Sequence, residues 1–164
     1  MGSLYSIVVL FNFTNYKQSN YEQSKWLGDI YIMDIIIRQA LLKDLDTISK
    51  VEAICFPKAE AATRESLKQR LNTFSESFFV AEKDKKIIGF INGCIINGTV
   101  IYDELYEDST LHIPNGDYQT IFGLDVIPNY RNHGIAAQLM NHMIDISKTS
   151  GRKGLVLTCK KRLI

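Results

Sequence analysis

The spacing of apolar residues changes several times along the first part of the chain, and each change predicts a new element. Residues 34–40 are rich in isoleucine and predict a strand, whereas residues 45–55 carry apolar side chains at helical spacing. Asp44 can cap this helix and Pro57 ends it, while Thr63 can cap a second helix. This part of the chain therefore predicts one strand followed by two helices.

Two β-rich runs come next, and the turn between them predicts a hairpin. Residues 78–82 and 87–96 are mostly apolar or aromatic, and the charged triplet Asp84-Lys85-Lys86 lies between them. Residues 97–118 mix charged, aromatic and turn-forming side chains without a regular period. The middle of the chain therefore adds two strands and a long loop.

The last part of the chain predicts a strand, a helix and a further strand. Residues 119–126 form an apolar strand closed by Pro128, whose nitrogen cannot donate to a sheet. Residues 135–146 carry apolar side chains at helical spacing until Gly151 stops the helix, and residues 154–158 form the last strand. The whole order predicts a mixed α/β or α+β fold, in which helices flank a central mixed sheet.

The composition fits one globular domain preceded by a distinct leader. The chain has 164 residues, of which 46% are apolar, enough for a sizeable core. Residues 1–32, the leader, hold aromatic and amide side chains with few signals that start or stop an element. We expect the domain to span residues 33–164, and the leader is either an extension or an extra strand.

Charge and cysteine content narrow the classes of function. The formal net charge of +1 gives no broad attraction to nucleic acid or to an anionic membrane surface. The three cysteines are widely spaced, with no histidine at ligand spacing, so they indicate neither a zinc site nor a disulfide framework. Because the chain has no apolar run of about 20 residues and no secretory signal, we expect a cytoplasmic protein.

The most informative stretch is residues 126–136, which join the end of a strand to a helix. Backbone N–H groups from Asn132 to Ala136 would point out of the helix start, where the helix dipole favours an anion by about 0.3–1 kcal/mol. Gly134 and Ala136 keep this backbone clear of bulky side chains. The turn therefore predicts a site for a pyrophosphate.

The turn sequence Arg131-Asn132-His133-Gly134-Ile135-Ala136 resembles the R/Q-x-x-G-x-G/A loop of the GNAT superfamily of N-acetyltransferases. In that family the loop holds the pyrophosphate of acetyl-CoA. Together with residues 111–118 and 121–126, the turn is similar to the bacterial branch related to arylalkylamine (serotonin-type) N-acetyltransferases. The resemblance runs from about Met33 to Ile164.

The resemblance implies transfer of an acetyl group from acetyl-CoA to a small aromatic or alkyl primary amine, by direct attack in a ternary complex. In the family, backbone N–H groups of the fourth strand bind the coenzyme arm and the developing oxyanion, which assigns Leu124, Asp125 and Val126 to this role. Two alternatives are a protein or peptide N-acetyltransferase and a CoA-binding module with impaired catalysis. No metal is implied, and the oligomeric state is left between monomer and homodimer.

The C-terminal end departs from the family pattern. Family members continue with a helix and two more strands, for which no residues follow Ile164. We expect either a C-terminally truncated domain or a leader that supplies part of the missing layer. A family tyrosine that protonates the departing thiolate would lie beyond Ile164, so slow turnover or none is expected.

Acetyl transfer to an amine needs a base or a water relay, because an alkylamine with a pKa of about 10.4 is mostly protonated near neutral pH. His112 is one candidate, since histidine has a pKa of about 6.5 and this residue lies in the loop before the fourth strand. Asp125 interrupts an apolar strand and is either a site carboxylate or part of the sheet's wet face. Glu52, on the first helix, is likewise either a site carboxylate or a surface carboxylate, and the surface interpretation is favoured.

Two loops are candidates for contact with the acceptor. Residues 102–108 interleave four carboxylates with Tyr102 and Tyr106, a pattern that would attract a cation and stack on an aromatic ring. A solvated acidic loop explains the same pattern. Phe56-Pro57 resembles the family's acceptor-side loop, although a simple helix stop also accounts for Pro57. If both loops face the sulfur end of the coenzyme, an aromatic amine is the expected acceptor.

Overall fold

The computed structural model describes residues 6–13 and 34–160. The strands in these ranges are β1 (Ser6–Asn12), β2 (Ile36–Gln39), β3 (Phe78–Lys83), β4 (Lys86–Asn92), β5 (Ile95–Ile96), β6 (Tyr118–Ile121), β7 (Gly123–Val126) and β8 (Gly154–Lys160). The α-helices are α1 (Leu45–Cys55), α2 (Arg64–Thr73), α3 (Glu104–Glu107) and α4 (Ile135–Thr149).

The strands form two four-stranded sheets, with the orders β1-β8-β6-β5 and β2-β3-β4-β7. Paired strands are antiparallel except for β6 and β8, which run parallel. Helix α4 packs on one face of the second sheet, while α1 and α2 cover the other face. The predicted mixed α/β fold with flanking helices is confirmed.

Each face of the second sheet carries its own core, because successive side chains of a strand point to opposite faces. The core under α4 includes Phe79, Ile91 and Val126 from the strands, packed against Ile135, Leu139 and Met143. The core under α1 and α2 includes Phe78, Val80 and Phe90, packed against Ile48, Val51, Leu67 and Leu71. This alternation sends the side chain of Asp125, between Leu124 and Val126, towards the α1 side.

The two predicted helix caps have different outcomes. Thr63 caps α2 as predicted, because its hydroxyl oxygen accepts a hydrogen bond from Ser66 N at 3.1 Å. Asp44 precedes α1, but its side chain does not cap that helix. Its carboxylate instead accepts from Leu41 N at 2.9 Å and pairs with Arg38 at 2.7 Å. Asp44 thus binds Arg38 and the N–H of Leu41 in place of the predicted N–H group in the first turn of α1.

The prediction of one strand over residues 119–126 is wrong, because the chain divides into β6 and β7 at Phe122. Phe122 N donates to Asn92 O at 2.8 Å, and Gly123 is the register partner of the same Asn92. Two residues opposite one make a β-bulge, which redirects a strand. As a result β6 pairs with β8 and β7 pairs with β4, so the chain passes from one sheet to the other.

The run at residues 87–96 also divides, into β4 and the short β5. A Cβ atom at Gly93 would lie 1.9 Å from Thr120 O, so glycine is required where the chain bends between these strands. The predicted loop over residues 97–118 contains the short helix α3, whose buried Leu105 packs with Phe74.

Part of the leader supplies a strand. Strand β1 pairs antiparallel with the whole of β8, from Ser6 opposite Lys160 to Asn12 opposite Gly154. Of the two readings left open for the leader, the structure supports the extra strand for residues 6–12, while the domain boundary at Met33 stays a prediction. Within the described ranges, no helix is long and apolar enough to cross a membrane.

Candidate active site

A cleft of about 1000 Å³ opens where β7 and β8 diverge. The parallel pairing of β6 with β8 ends at Ile121 and Leu157, and beyond that point β4 is the only described strand that pairs with β7. The sheet side of the cleft is lined by Ile121, Phe122, Gly123, Leu124, Leu157 and Thr158, with Met140 from α4. The other walls come from α1, α2, the segment between them, and the region of α3.

The open edge of β7 presents backbone donors. Backbone N–H groups alternate in direction along an antiparallel strand. Ile127 N donates to Ile88 O at 2.9 Å, on the β4 side, so the N–H of Asp125 also faces β4. The N–H groups of Leu124 and Val126 therefore face the opposite, open edge. The assignment of a coenzyme-binding N–H to Asp125 does not fit this register, whereas Leu124 and Val126 fit it.

The turn at residues 131–136, which we call the anion turn, has the backbone geometry that the predicted pyrophosphate site needs. Asn132 and Gly134 have φ angles of 63° and 76°, and the first hydrogen bond of α4 runs from Gln138 N to Gly134 O at 3.0 Å. The N–H groups of Ile135, Ala136 and the next residue thus have no acceptor within the helix. A Cβ at Gly134 would meet nothing within 4 Å, so the positive φ, and not lack of space, favours glycine here.

Two side chains of the turn bind backbone oxygens, one at the end of β7 and one in the turn itself. Arg131 Nε donates to Val126 O at 2.8 Å, which ties the turn to the end of β7. The ring of His133 contacts the turn itself, with Nδ1 at 2.7 Å from Arg131 O. These contacts hold the turn in place and leave its exposed amides for an anion.

A buried pair of carboxyl groups lies beside the cleft. Asp125 is 1% exposed, and Glu52, which lines the cleft, is 6% exposed. The interpretation of Glu52 as a surface carboxylate is therefore wrong. A signal was present in the sequence, because Glu52 lies at helical spacing from Leu45 and Ile48 on the face of α1 that packs against the sheet.

The protonation state of Asp125 follows from its surroundings. Neither of its carboxyl oxygens has a hydrogen-bond donor among the described residues. Burial, together with the carboxylate of Glu52 beside it, raises the pKa of Asp125 to about 9. A proton on Asp125 also removes the repulsion between two adjacent carboxylates. At neutral pH Asp125 is therefore a neutral acid next to Glu52.

Polar atoms without partners surround a small gap at Gly123. Arg70 is buried and donates from Nη1 to Asn92 Oδ1 at 3.2 Å and from Nη2 to Tyr106 O at 3.0 Å. The Nδ2 of Asn92 and the Nε of Arg70 have no partner among the described residues. A Cβ at Gly123 would lie 3.3 Å from Asn92 Nδ2 and 3.6 Å from Asp125 Oδ1.

The residues expected to contact the acceptor are only partly brought together. Phe56 and Tyr106 line the cleft, whereas Tyr102 is 47% exposed and lies outside the lining. The hydroxyl of Tyr106 is 3.0 Å from Thr158 Oγ1 on β8, and its ring packs against Phe122 with centroids 4.6 Å apart. Sequence spacing could not reveal this contact between a loop and a distant strand.

The structure does not bring His112 to the cleft. Its side chain is 2% exposed, accepts at Nδ1 from Ile95 N at 3.1 Å, and packs against the ring of Phe74. Its Nε2 lies 3.1 Å from Glu76 Oε1, outside hydrogen-bond geometry. Burial lowers the pKa of His112, and Glu76 only partly opposes this. Because His112 is enclosed in a third apolar cluster, away from the cleft, it cannot serve as the base or relay expected from the sequence.

The described cysteines do not suggest covalent or metal chemistry. Burial raises the pKa of the thiols of Cys55 and Cys94, which keeps both protonated at neutral pH. The side chain of Cys159 lies outside the described side chains. Within the described ranges, no three histidine, cysteine, aspartate or glutamate side chains are grouped as a metal site would require.

Several known proteins are similar to this chain in sequence or in structure. "Probable hydrolase YhcX" from Bacillus subtilis (strain 168) is 28% identical over 130 residues, which are 75% of this chain and 25% of that protein. The GphF GNAT-like decarboxylase in complex with isobutyryl-CoA is 28% identical with a TM-score of 0.68, over 74% of this chain and 64% of that chain. The loading GNATL domain of CurA from Lyngbya majuscula is 20% identical with a TM-score of 0.67, over 75% of this chain and 63% of that chain.

The chain thus spans a quarter of the length of YhcX and less than two thirds of the two solved chains. The model of the acetyltransferase (GNAT) family matches residues 44–162, which contain α1, the divergence of β7 and β8, and the anion turn. Because this match covers well over half of the sequence, the chain belongs to the acetyltransferase (GNAT) family.

Proposed function

We propose that this protein transfers the acetyl group of acetyl-CoA to a primary amine by direct attack in a ternary complex. One observation carries the proposal: a single cleft runs from the open edge of β7 to a buried carboxyl pair, and the anion turn follows the same strand. The open edge of β7 suits the binding of a thioester, and the carboxyl pair suits the deprotonation of an amine. We further propose a cytoplasmic location, where the thiols of Cys55 and Cys94 stay reduced.

The residues present fit a coenzyme that carries a pyrophosphate. The amides at the start of α4 would hold the phosphates, and the open-edge N–H groups of Leu124 and Val126 would pair with the extended arm. Bound there, acetyl-CoA supplies an activated acetyl thioester. The similarity to GphF, which binds isobutyryl-CoA, supports a CoA thioester as the ligand.

Glu52 is our choice for the proton acceptor. An alkylamine is bound mainly as its ammonium form and must lose a proton before its lone pair can attack. Asp125 already holds a proton at neutral pH and so is not itself the base. Glu52 lines the cleft, is fixed by a hydrogen bond from Ala62 N at 2.7 Å, and can accept the proton because the neighbouring Asp125 is neutral.

Tyr106 is our choice for the group that returns a proton to sulfur. As the new N–C bond forms and the C–S bond breaks, the electron pair of the broken bond goes to the sulfur. The nitrogen then releases its second proton, which replaces the one that Tyr106 gives to the sulfur. The hydroxyl of Tyr106, at 3.0 Å from Thr158 Oγ1, lies where β8 diverges from β7 and can donate a proton to a thiolate in the cleft. This role does not require the family tyrosine expected beyond Ile164, so we now expect measurable turnover.

The direct test measures thiol release from acetyl-CoA with a panel of aromatic amines, aliphatic amines and peptides, alongside calorimetry with CoA. We expect CoA binding and amine-dependent thiol release. Release with peptides alone would favour a protein or peptide N-acetyltransferase. CoA binding without release for any acceptor would contradict the transferase proposal and favour a binding module.

A second candidate is decarboxylation of a carboxyacyl thioester. It is favoured by the similarity to the GphF GNAT-like decarboxylase and by the unpartnered donors Arg70 Nε and Asn92 Nδ2, which could hold a carboxylate. Incubation with malonyl-CoA separates the two candidates, since a decarboxylase would release CO₂ without any amine. Absence of CO₂ release, together with amine acetylation, would eliminate this candidate.

A further inference from the structure

The cleft is strongly acidic on its helical side. Among its described lining residues, five carry carboxylates and Arg70 carries the only basic group. The charge of Arg70 is directed inward, because its guanidinium donates to Asn92 and to Tyr106 O and lies 5.0 Å from the centroid of the Phe122 ring. The mouth of the cleft therefore keeps its negative charge.

The carboxylates at the mouth are arranged on one side of α3. Of the four acidic residues at positions 103–108, Asp103 and Glu107 line the cleft, whereas Glu104 and Asp108 do not. Asp103 and Glu107 are four residues apart, which places them on the same helical face. Glu65, from the first turn of α2, adds a third carboxylate to the lining. None of these three forms an ion pair with another described residue. We call Glu65, Asp103 and Glu107 the acidic rim.

A second, independent feature at the deep end also suits a cationic ligand. Asp125 is buried, both of its oxygens lack a partner among the described donors, and Oδ1 faces the gap at Gly123 in the cleft wall. An unpartnered buried carboxyl costs stability unless something binds it. Beside Glu52, it forms an acceptor for a donor-rich group such as an ammonium. The cleft thus has acidic groups at its deep end and at its mouth, with apolar surface from Ile101 and Leu157 also in its lining.

We propose that the acceptor is a linear aliphatic diamine or polyamine, bound with one amino group beside Glu52 and Asp125 and a second, charged amino group at the acidic rim. This inference rests on the proposed function. The inner amino group loses a proton to Glu52 and forms the N–C bond, while the outer one stays protonated and is held by Glu65, Asp103 and Glu107. The product is the mono-acetylated amine and free CoA.

The test compares cadaverine with n-hexylamine, which have the same number of heavy atoms and differ in one terminal amino group. Steady-state thiol release from acetyl-CoA gives KM for each amine at low and moderate salt. We expect KM to be lower for cadaverine by about threefold to tenfold, the range that one or two exposed ion pairs provide. The difference in KM between the two amines should narrow as the salt concentration rises.

A matched pair of double variants tests whether the acidic rim causes the lower KM for cadaverine. D103N/E107Q should raise KM for cadaverine by about threefold to tenfold and leave KM for n-hexylamine and acetyl-CoA unchanged. E104Q/D108N removes the same charge from the same segment, but outside the cleft, and should leave all three KM values unchanged.

The outcomes separate this inference from the proposed function. Equal KM values for the two amines, or equal effects of the two double variants, would overturn the diamine proposal while acetyl transfer stands. Preferential use of an aromatic monoamine would also overturn it. Failure to acetylate any amine, despite CoA binding, would instead contradict the proposed function.

Discussion

At the scale of single residues, Asp125 couples the chemistry of the cleft to the stability of the fold. An unfolded aspartate has a pKa of about 4, whereas burial and Glu52 raise the folded pKa to about 9. Between these values the folded protein holds a proton that the unfolded chain releases. The contribution of Asp125 to the free energy of unfolding therefore falls as pH rises through this window.

Replacing Asp125 with asparagine should separate stability from activity. Asp125→Asn removes the need to hold a proton and still offers an N–H donor to Glu52, so we expect the free energy of unfolding at neutral pH to rise by about 1–3 kcal/mol. The kcat for amine acetylation should fall. Urea unfolding at several pH values would show a flatter pH dependence than in the unmodified protein. Asp145→Asn, at an exposed position of α4, is the control, and an identical pH dependence in both variants would contradict the role of Asp125.

Tyr106 offers a second test at this scale. Tyr106→Phe keeps the ring on Phe122 and removes the hydroxyl near Thr158, so kcat should fall by about tenfold or more, as expected for loss of a general acid, with little change in KM for acetyl-CoA. Tyr102→Phe removes a hydroxyl from an exposed tyrosine outside the cleft and should leave kcat unchanged. If the two variants have the same kcat, the proton donor must be sought elsewhere.

At the scale of elements, α4 has a left-handed glycine at each end. Gly134 precedes the helix with a φ angle of 76°, and Gly151 follows it with a φ angle of 74°. Neither position has a neighbour within 4 Å of an added Cβ. The two glycines therefore present the same backbone requirement in equally open surroundings, but only Gly134 belongs to the anion turn.

This symmetry gives a matched pair of alanine variants. Gly134→Ala and Gly151→Ala should each lower the free energy of unfolding by about 1–2 kcal/mol, because a left-handed conformation is unfavourable for residues with a Cβ. Only Gly134→Ala should weaken CoA binding in calorimetry, since it disturbs the amides that would hold the phosphates. An unchanged CoA affinity in Gly134→Ala would remove the turn from the coenzyme site.

At the scale of the whole molecule, the divergence of β7 and β8 depends on pairing at both flanks. Strand β7 is held by β4, while β8 is held by β6 on one side and by β1 on the other. The bulge at Phe122 and Gly123 allows the chain to change sheets, and β1 covers what would otherwise be an exposed edge of β8. An uncovered edge strand is prone to aggregation.

Deleting β1 should therefore affect both stability and the cleft. Removal of residues 1–12 should lower the melting temperature and weaken CoA binding, because β8 carries Leu157 and Thr158 at the cleft wall. Removal of residues 1–5 leaves β1 intact and is the control. Equal melting temperatures and CoA affinities for the two truncations would show that β1 does not support the site.

Local patterns were sufficient for much of the fold and for the turn that precedes α4. Apolar periodicity predicted α1, α2 and α4, and the Thr63 cap and the hairpin turn at Asp84 were recognisable from single positions. The anion turn was predicted because a strand, a glycine and a helix start follow one another directly. All of these features depend on residues within a few positions of each other.

The sequence by itself thus determined the identity and order of most elements and the family, since these are encoded in short-range spacing. Only the tertiary structure decided that Glu52 is buried beside Asp125, that His112 is enclosed away from the cleft, and that the strand at Phe122 divides between two sheets. The physical reason is that the burial of a polar side chain and the choice of a strand partner depend on residues far apart in the chain. Periodicity indicates which face of an element is apolar, but the packing of other elements decides which polar groups that face encloses.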